Sequence, residues 1–318
     1  MTLVTSEVAT MATTTNTKRP LLVVVLGPTG SGKTDLAVAL AHHYATEIIS
    51  TDSRQFYRGM AIGTAQPSPE ELATAPHHFI ADRQPEEELS AGGYEREALA
   101  KLEELFGRHS VVVAVGGSGL YIDALCEGFD ELPCDTTEIR AQLTEELQTY
   151  GLEKLVEELR ELDPDYWEVV DRKNPARIVR ALEVCKASGK PYSAQRTATR
   201  KQRPFDVVKI GIDWPREELY DRINRRVDLM MEAGLEAEAR GVYHLRHLSS
   251  LQTVGYRELF DYFDGTISKE EAVELIKRNS RRYAKRQMTW FRRDPSTHWL
   301  SPHSKTEAID IINCKLQN

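Results

Sequence analysis

The sequence predicts an α/β protein, a parallel sheet flanked by helices, with an all-helical domain inserted into it. Three observations carry this expectation. Leu21–Leu26 (LLVVVL) and Val111–Val115 (VVVAV) are short, wholly apolar runs, the pattern of strands buried on both faces. Each run meets glycine at once and then a helical pattern, the strand-turn-helix order of a parallel sheet with right-handed crossovers. Residues 136–187, by contrast, carry helical spacing with no strand signal. A length of 318 residues accommodates about two domains.

Taken in order, residues 1–20 are Thr-rich, lack the apolar stretch of a secretion signal and read as a flexible tail. Leu21–Leu26 is the first strand, and Asp35–Tyr44 reads as helix. Glu47–Ser50 is a second short strand ending at Thr51-Asp52. Residues 64–76 hold three prolines and read as loop. Tyr94–Phe106 has helical spacing. Val111–Val115 then runs into Gly116-Gly117-Ser118-Gly119 and a further helix. The character changes near Leu132-Pro133: Thr136–Arg160 and Asp165–Ala187 are helical in pattern, and a basic loop spans Gly189 to Pro204. Val207–Ile212 returns to strand, and Pro215 opens a helix running towards Met231. The expected organisation is a core of residues 21–130 and 205–300, a helical insertion of 131–204, and tails at 1–20 and 301–318.

Composition narrows the function. The longest apolar run is six residues, far short of the ~20 that span a bilayer, so a membrane protein is excluded. Cys126, Cys134, Cys185 and Cys314 lie far apart without a C-x-x-C pair, as expected of reduced thiols in a cytoplasmic protein with no zinc. The net charge of −8 comes from 41 Lys and Arg against 49 Asp and Glu, but it is unevenly spread. Residues 135–170 hold 11 acids and 3 bases, 171–203 hold 10 bases and 2 acids, and 273–293 hold 8 bases and one acid. In the last segment Lys277, Arg281 and Lys285 form one i,i+4 row and Arg278, Arg282 and Arg286 another, opposite an apolar stripe of Val273, Ile276, Tyr283 and Phe291. Like charges at that spacing oppose helix formation, so a helix that keeps them is expected to meet phosphates.

Gly27-Pro28-Thr29-Gly30-Ser31-Gly32-Lys33-Thr34 matches G-x-x-x-x-G-K-[ST] between a buried strand and a helix, so the core is expected to be of the phosphate-loop NTPase type. Glycines let backbone N–H groups converge on phosphate oxygens, the helix N-terminus adds positive potential, and Lys33 adds a full charge. The Thr34 hydroxyl is placed to ligate Mg²⁺. A hydrolytic NTPase usually ends a later strand in a metal-holding Asp, but Val111–Val115 ends in Gly116-Gly117. The exposed acid is instead Asp52, at the carboxyl edge of the sheet. There it reads as an N-cap, a metal-associated carboxylate or a general base. Arg222, Arg225 and Arg226 (in RINRR) are candidates to reach the phosphates. His77-His78 and His244-x-x-His247 lack nearby ligands to complete a metal set and read as structural or surface histidines.

These residues and six further blocks resemble one family. GPTGSGKT (27–34), ISTDSRQFYRGMAIGTAQP (49–67), APHHFI (75–80), VGGSGLYIDAL (115–125), NPARIVRALEV (174–184), TVGYREL (253–259) and AKRQMTWFRR (284–293) are together similar to tRNA dimethylallyltransferases of bacterial type. The eukaryotic ones commonly carry a C-terminal zinc finger. The resemblance implies transfer of a dimethylallyl group from dimethylallyl diphosphate to the exocyclic amine of the adenine 3′ of the anticodon, in tRNAs reading codons that begin with U. It implies a diphosphate site over Gly27–Thr34 and catalytic roles for Asp52, Thr29 and Lys33. It further implies tRNA contacts at Asp52, Ser53, Arg54, Gln55, Ser118 (where the family usually has Thr), Arg140, Ala176, Arg177, Ile178, Val179 and Arg180. Later contacts fall at Gln252, Gly255, Tyr256, Arg257, Lys285, Arg286, Gln287, Trp290 and Arg292, of which Gln287 and Trp290 fit a core position equally well. The partners expected are an anticodon stem-loop, dimethylallyl diphosphate and Mg²⁺, with the enzyme a monomer. A phosphate-loop kinase of a nucleoside or other small molecule, and an RNA-binding protein with an inert loop, are the competing readings.

Overall fold

The protein is described by a computed structural model covering residues 18–129, 136–196 and 200–317. Most of the Thr-rich tail, Cys134 and the expected start of the insertion at 131 lie outside these residues. In chain order the strands are β1 (Leu21–Leu26), β2 (Ile48–Ser50), β3 (His77–His78), β4 (Val111–Gly116), β5 (Asp206–Ile212) and β6 (His298–Leu300). The first helices are α1 (Lys33–His43), α2 (Pro69–Thr74), α3 (Ala91–Phe106), α4 (Gly119–Glu127), α5 (Thr137–Tyr150), α6 (Leu152–Leu162) and α7 (Pro164–Val169). They are followed by α8 (Pro175–Ser188), α9 (Tyr192–Gln195), α10 (Arg216–Glu232), α11 (Leu235–Gly241), α12 (Tyr256–Phe263), α13 (Lys269–Phe291) and α14 (Lys305–Gln317).

All six strands are parallel, in the order β3-β2-β4-β1-β5-β6. β1 is central, with Leu21 opposite Val111 on one side and Asp206 on the other. Side chains of a strand alternate between faces, and β1 divides accordingly. Leu21, Val23 and Val25 pack with Leu40 of α1 and Ile312 of α14, whereas Leu22, Val24 and Leu26 pack with Leu102 of α3, Leu259 of α12 and Ile276 of α13. Helices on both faces make the apolar runs obligatory rather than alternating.

The chain divides into two compact units, residues 127–202 and the remainder; the expected boundaries were 131 and 204. The helical unit has its own core of Leu143, Leu155, Leu159, Tyr166, Ile178 and Leu182. Gly151, with φ of 80°, separates α5 from α6 inside what reads as one helical stretch.

Several expectations need correction. Residues 301–318 are not a tail: α14 buries Ala308 and Ile312, and Tyr44 donates to Asn313 Oδ1 at 3.0 Å. The end of the N-terminal segment is likewise fastened, with Lys18 Nζ donating to the Leu316 carbonyl at 2.8 Å and Arg19 paired with Asp206 at 3.0 Å. Within the proline-rich 64–76 stretch, Ser68 and Glu71 form a reciprocal capping box that starts α2, with Pro69 in the first turn. The basic loop contains the short α9. On α13 the first basic row is answered by α10: Lys277 meets Asp228 at 2.7 Å, and Arg281 donates to Asn224. The self-repulsion expected to demand phosphates is therefore partly met within the fold.

Leu159 is fully buried, while Leu162, three residues on in the same helix, is 41% exposed. Leu159→Ala is expected to cost about 2–5 kcal/mol in the helical unit's stability. Leu162→Ala should stay within about 0.5 kcal/mol. Urea unfolding followed by circular dichroism measures both.

Candidate active site

The phosphate loop joins β1 to α1 at the carboxyl edge of the sheet. Gly30 and Gly32 have φ of 79° and 81°, a left-handed conformation that side chains strain to adopt. A Cβ on Gly30 would also lie 3.1 Å from Ile223 Cγ1 of α10. Gly32 caps α1 without a side chain, so the first-turn N–H groups remain available to an anion. Three of the loop's carbonyls accept from side chains: Trp214 Nε1 donates to Ser31 O at 2.9 Å, Arg222 Nε to Gly30 O at 2.9 Å, and Lys33 Nζ to Pro28 O at 3.5 Å. Arg226 Nη1 reaches Thr29 Oγ1 at 3.4 Å. The Thr29 N–H donates to Gln287 Oε1 at 2.9 Å, and Gln287 Nε2 donates to Gly117 O at 2.8 Å. Gln287 thus spans the phosphate loop and the turn after β4 from a buried position on α13.

That turn explains why β4 ends in glycines rather than an acid. A Cβ on Gly116 would fall 2.2 Å from Thr51 Oγ1, one on Gly117 2.3 Å from Gln287 Nε2, and one on Gly119 2.3 Å from Trp290 Cδ1. Ser118, next in line, has its hydroxyl accepting from Ser53 N at 2.9 Å and donating to Ser53 Oγ at 3.0 Å. Asp52 follows β2 in a tight turn, its Oδ1 accepting from Arg54 N at 3.1 Å while its own N–H donates to Ser50 Oγ.

The loop and the Asp52 turn open into one cavity of about 720 Å³. Thr29, Gly30, Gly32, Lys33, Thr34, Asp52, Ser53, Arg54, Gln55, Gln252, Gly255, Arg257, Arg286 and Gln287 line it, joined by Arg222, Arg225, Arg226 and Tyr283. The cations outnumber Asp35, Asp52 and Glu71. Burial brings the Lys33 ammonium down from 10.5 to about 8; Asp52 opposes that shift and Arg226 reinforces it. Burial, then the charge of Asp52, pushes the Tyr283 phenol up to about 12.

Other expected site residues are placed differently. Gly27, Pro28 and Ser31 are buried in the frame of the loop. The Arg54 guanidinium donates to the Ser249 and Ser250 carbonyls, and Gln55 Nε2 to the Ala65 carbonyl at 2.8 Å. Tyr256, expected at the tRNA surface, is fully buried: its OH donates to Glu238 Oε1 at 2.7 Å and its ring occupies space that Gly63 leaves open. Trp290 donates to Asp123 at 3.0 Å, Arg292 pairs with Asp213 at 3.0 Å, and Lys285 is exposed. In the helical unit Ile178 belongs to the hydrophobic core rather than a surface, whereas Ala176 and Arg177 are exposed and Val179 is half-buried. Arg140 and Arg180 both pair with Glu183. His77 and His78 form the edge strand β3, with His78 Nε2 2.7 Å from Glu47 Oε2.

Comparison with known proteins decides the family. The model described as IPP transferase matches residues 55–294. The chain belongs to the IPP transferase family. Among relatives of this family, tRNA dimethylallyltransferase 1 of Phocaeicola vulgatus is 50% identical, covering 92% of this chain and 97% of that one. The protein of the same name from Bacteroides thetaiotaomicron is 49% identical, covering 94% and 96%. The structure of the tRNA isopentenylpyrophosphate transferase of Bacillus halodurans superposes with a TM-score of 0.68 at 38% identity, covering 94% and 96%. A eukaryotic dimethylallyltransferase acting on tRNA gives 0.80 at 25% identity, covering 94% of this chain and 80% of that one.

Arg222 and Arg226 lie i,i+4 on α10, on one helical face just after Trp214-Pro215, and with Arg225 they line the cavity. Tyr283 was missed because its spacing matches the apolar stripe of α13, yet it faces the cavity. Glu238, outside the cavity lining, accepts from Ile62 N and Gly63 N and so fixes the segment whose Gly63 lines it.

The Lys33 shift has a definite sign. Below pH 8 the free protein carries the buried charge; above it the folded form loses the proton while an unfolded lysine keeps one up to about 10.5. This group's contribution to stability therefore rises over that window. A bound anion favours the charged form, so affinity for inorganic diphosphate is expected to fall by up to about tenfold per pH unit above 8. Lys33→Met should abolish that slope, as calorimetric titration at several pH values would measure.

Proposed function

We propose that the chain transfers the dimethylallyl group of dimethylallyl diphosphate to the exocyclic amine of the adenine 3′ of the anticodon, in tRNAs reading codons that begin with U, and releases diphosphate. The observation that carries this is the shared cavity: a phosphate cradle and the carboxylate of Asp52 face one space bordered by arginines. The names of the relatives agree with it. The glycine-packed end of β4 leaves no acid at the place where a hydrolytic NTPase holds its metal.

The adenine amine is a weak nucleophile because its lone pair is delocalised into the ring. In the proposed reaction Asp52 accepts its proton as the N–C bond forms and the C–O bond to diphosphate breaks. The turn that fixes Asp52 Oδ1 on Arg54 N orients the carboxylate for this task. Charge grows on the departing diphosphate, and Lys33, the N–H groups opening α1 and the Arg226 guanidinium stabilise it. In this reading Thr29, which contacts Arg226, hydrogen-bonds the bridging oxygen. Mg²⁺ fits this donor set: Thr34 lines the cavity beside the loop that would take the diphosphate. One protein oxygen plus substrate phosphates is its usual ligation. When bound, Mg²⁺ neutralises diphosphate charge, with Thr34 as its protein ligand.

The tRNA supplies the polyanion for the basic residues. Arg257 and Arg286 border the cavity, and an unpaired anticodon loop yields a base for a few kcal/mol. The proposed enzyme acts in the cytoplasm, where its tRNA substrate is, as a monomer. No helix among the described residues is long and apolar enough to cross a membrane.

Incubating the protein with Mg²⁺, tRNA and labelled dimethylallyl diphosphate, with labelled ATP as the comparison donor, is expected to label the tRNA from the first donor alone. Phosphorylation of a small molecule by ATP, with unlabelled tRNA, would favour a kinase. Asp52→Asn is expected to lower turnover by about 10²–10⁴-fold while leaving tRNA affinity within about threefold; near-normal turnover would remove Asp52 from the base role.

A further inference from the structure

Building on the proposed tRNA substrate, we infer that Glu183 is a positioning residue: its buried carboxylate holds the Arg140 and Arg180 guanidinium groups as one two-armed grip for a phosphate of the tRNA backbone. Glu183 lies on α8 within the buried run Ala181, Leu182, Val184 and Cys185, and its side chain is 1% exposed. Taking a carboxylate out of water there is unfavourable, and an apolar residue of similar volume would pack without that cost. Packing therefore does not account for it.

Its hydrogen bonds do. Glu183 Oε1 accepts from Arg180 Nη1 at 3.0 Å and from the Thr136 hydroxyl, while Oε2 accepts from Arg140 Nη2 at 3.2 Å and Nε at 3.4 Å. Thr136 is the N-cap of α5, yet its hydroxyl caps nothing and donates to Glu183 instead. A favourable local bond is given up for the carboxylate. The two arginines remain 53% and 36% exposed, and each guanidinium keeps N–H donors that the carboxylate does not use. One carboxylate between two guanidiniums leaves a net charge of +1 and suppresses the repulsion that would splay them.

The other ion pairs of α5–α8 are of a different kind. Among the described residues, Lys154–Glu146, Arg160–Glu157, Lys186–Glu146 and Lys186–Glu158 have both partners at least 26% exposed, as solvated surface pairs do. Paired planar forks at fixed spacing suit a phosphate, and such contacts set the position of a nucleic acid without reading its sequence.

The test uses the full chain and a synthetic anticodon stem-loop RNA. Glu183→Gln keeps the shape and removes the charge. It is expected to weaken RNA binding about tenfold and to flatten the salt dependence by about one unit of log–log slope. Turnover at saturating RNA, affinity for inorganic diphosphate and the thermal midpoint should stay near the wild type. In an Arg140→Ala, Arg180→Ala background the same change should add less than about twofold. RNA affinity of Glu183→Gln within twofold of the wild type would overturn the assignment, as would loss of RNA and diphosphate binding together. Should Glu183→Gln not fold, Glu183→Asp keeps the charge but withdraws it by one methylene, and unchanged RNA affinity there would also overturn it. A wild-type chain that does not bind the stem-loop refutes the tRNA reading itself, a different outcome from a wild type that binds and a Glu183 variant that binds equally.

Discussion

The site depends on one buried amide. Gln287 accepts from the phosphate loop through Thr29 N and donates to the turn after β4 through Gly117 O. These segments leave neighbouring strands and have no backbone ladder between them once the sheet ends. A buried amide with both ends satisfied is worth far more in place than its pairwise energies suggest, because removing it strands two partners away from water. Ser118 extends the tie to Ser53, and from there the chain reaches Asp52. A single side chain on α13 thereby joins the phosphate loop to the turn after β4, where the backbone bond from Thr51 N to Val115 O holds the segment leading to Asp52.

The second constraint is charge. The cavity gathers arginines around a lysine that burial has already lowered to about 8, so the unliganded site is an electrostatically unfavourable arrangement held by the surrounding fold. α10 and the residue pair before it supply much of that support, with Arg222 of α10 on the Gly30 carbonyl and Trp214, between β5 and α10, on the Ser31 carbonyl. An anion relieves the repulsion on arrival. The net charge of −8 keeps the chain as a whole from binding polyanions everywhere.

Much of this was legible in the sequence, and the remainder failed for identifiable reasons. β1, β4 and the loop between β1 and α1 announce themselves through apolar runs and glycines, because burial on both faces leaves a strand no polar option. α2 was hidden by prolines, although Ser68-Pro69-Glu70-Glu71 is a helix start. β3 and β6 are too short for any periodicity, and α14 reads as a tail because the partners of its apolar residues, Leu40 of α1 and the strands of the sheet, lie far away in sequence. Tyr256 and Ile178 sit inside blocks that mark the family, yet burial assigns them to packing. The motif fixes which residues recur together but not which way each side chain points. Tyr283 is the converse, a residue with core spacing that lines the cavity.

The glycines after β4 carry a consequence for what this scaffold can become. Thr51, Gln287 and Trp290 already fill the volume where a side chain at 116, 117 or 119 would project. Acquiring a metal-holding acid at the tip of that strand would demand simultaneous change just after β2 and on α13. The fold is thereby insulated by steric occupancy from drifting, one substitution at a time, into a nucleotide hydrolase.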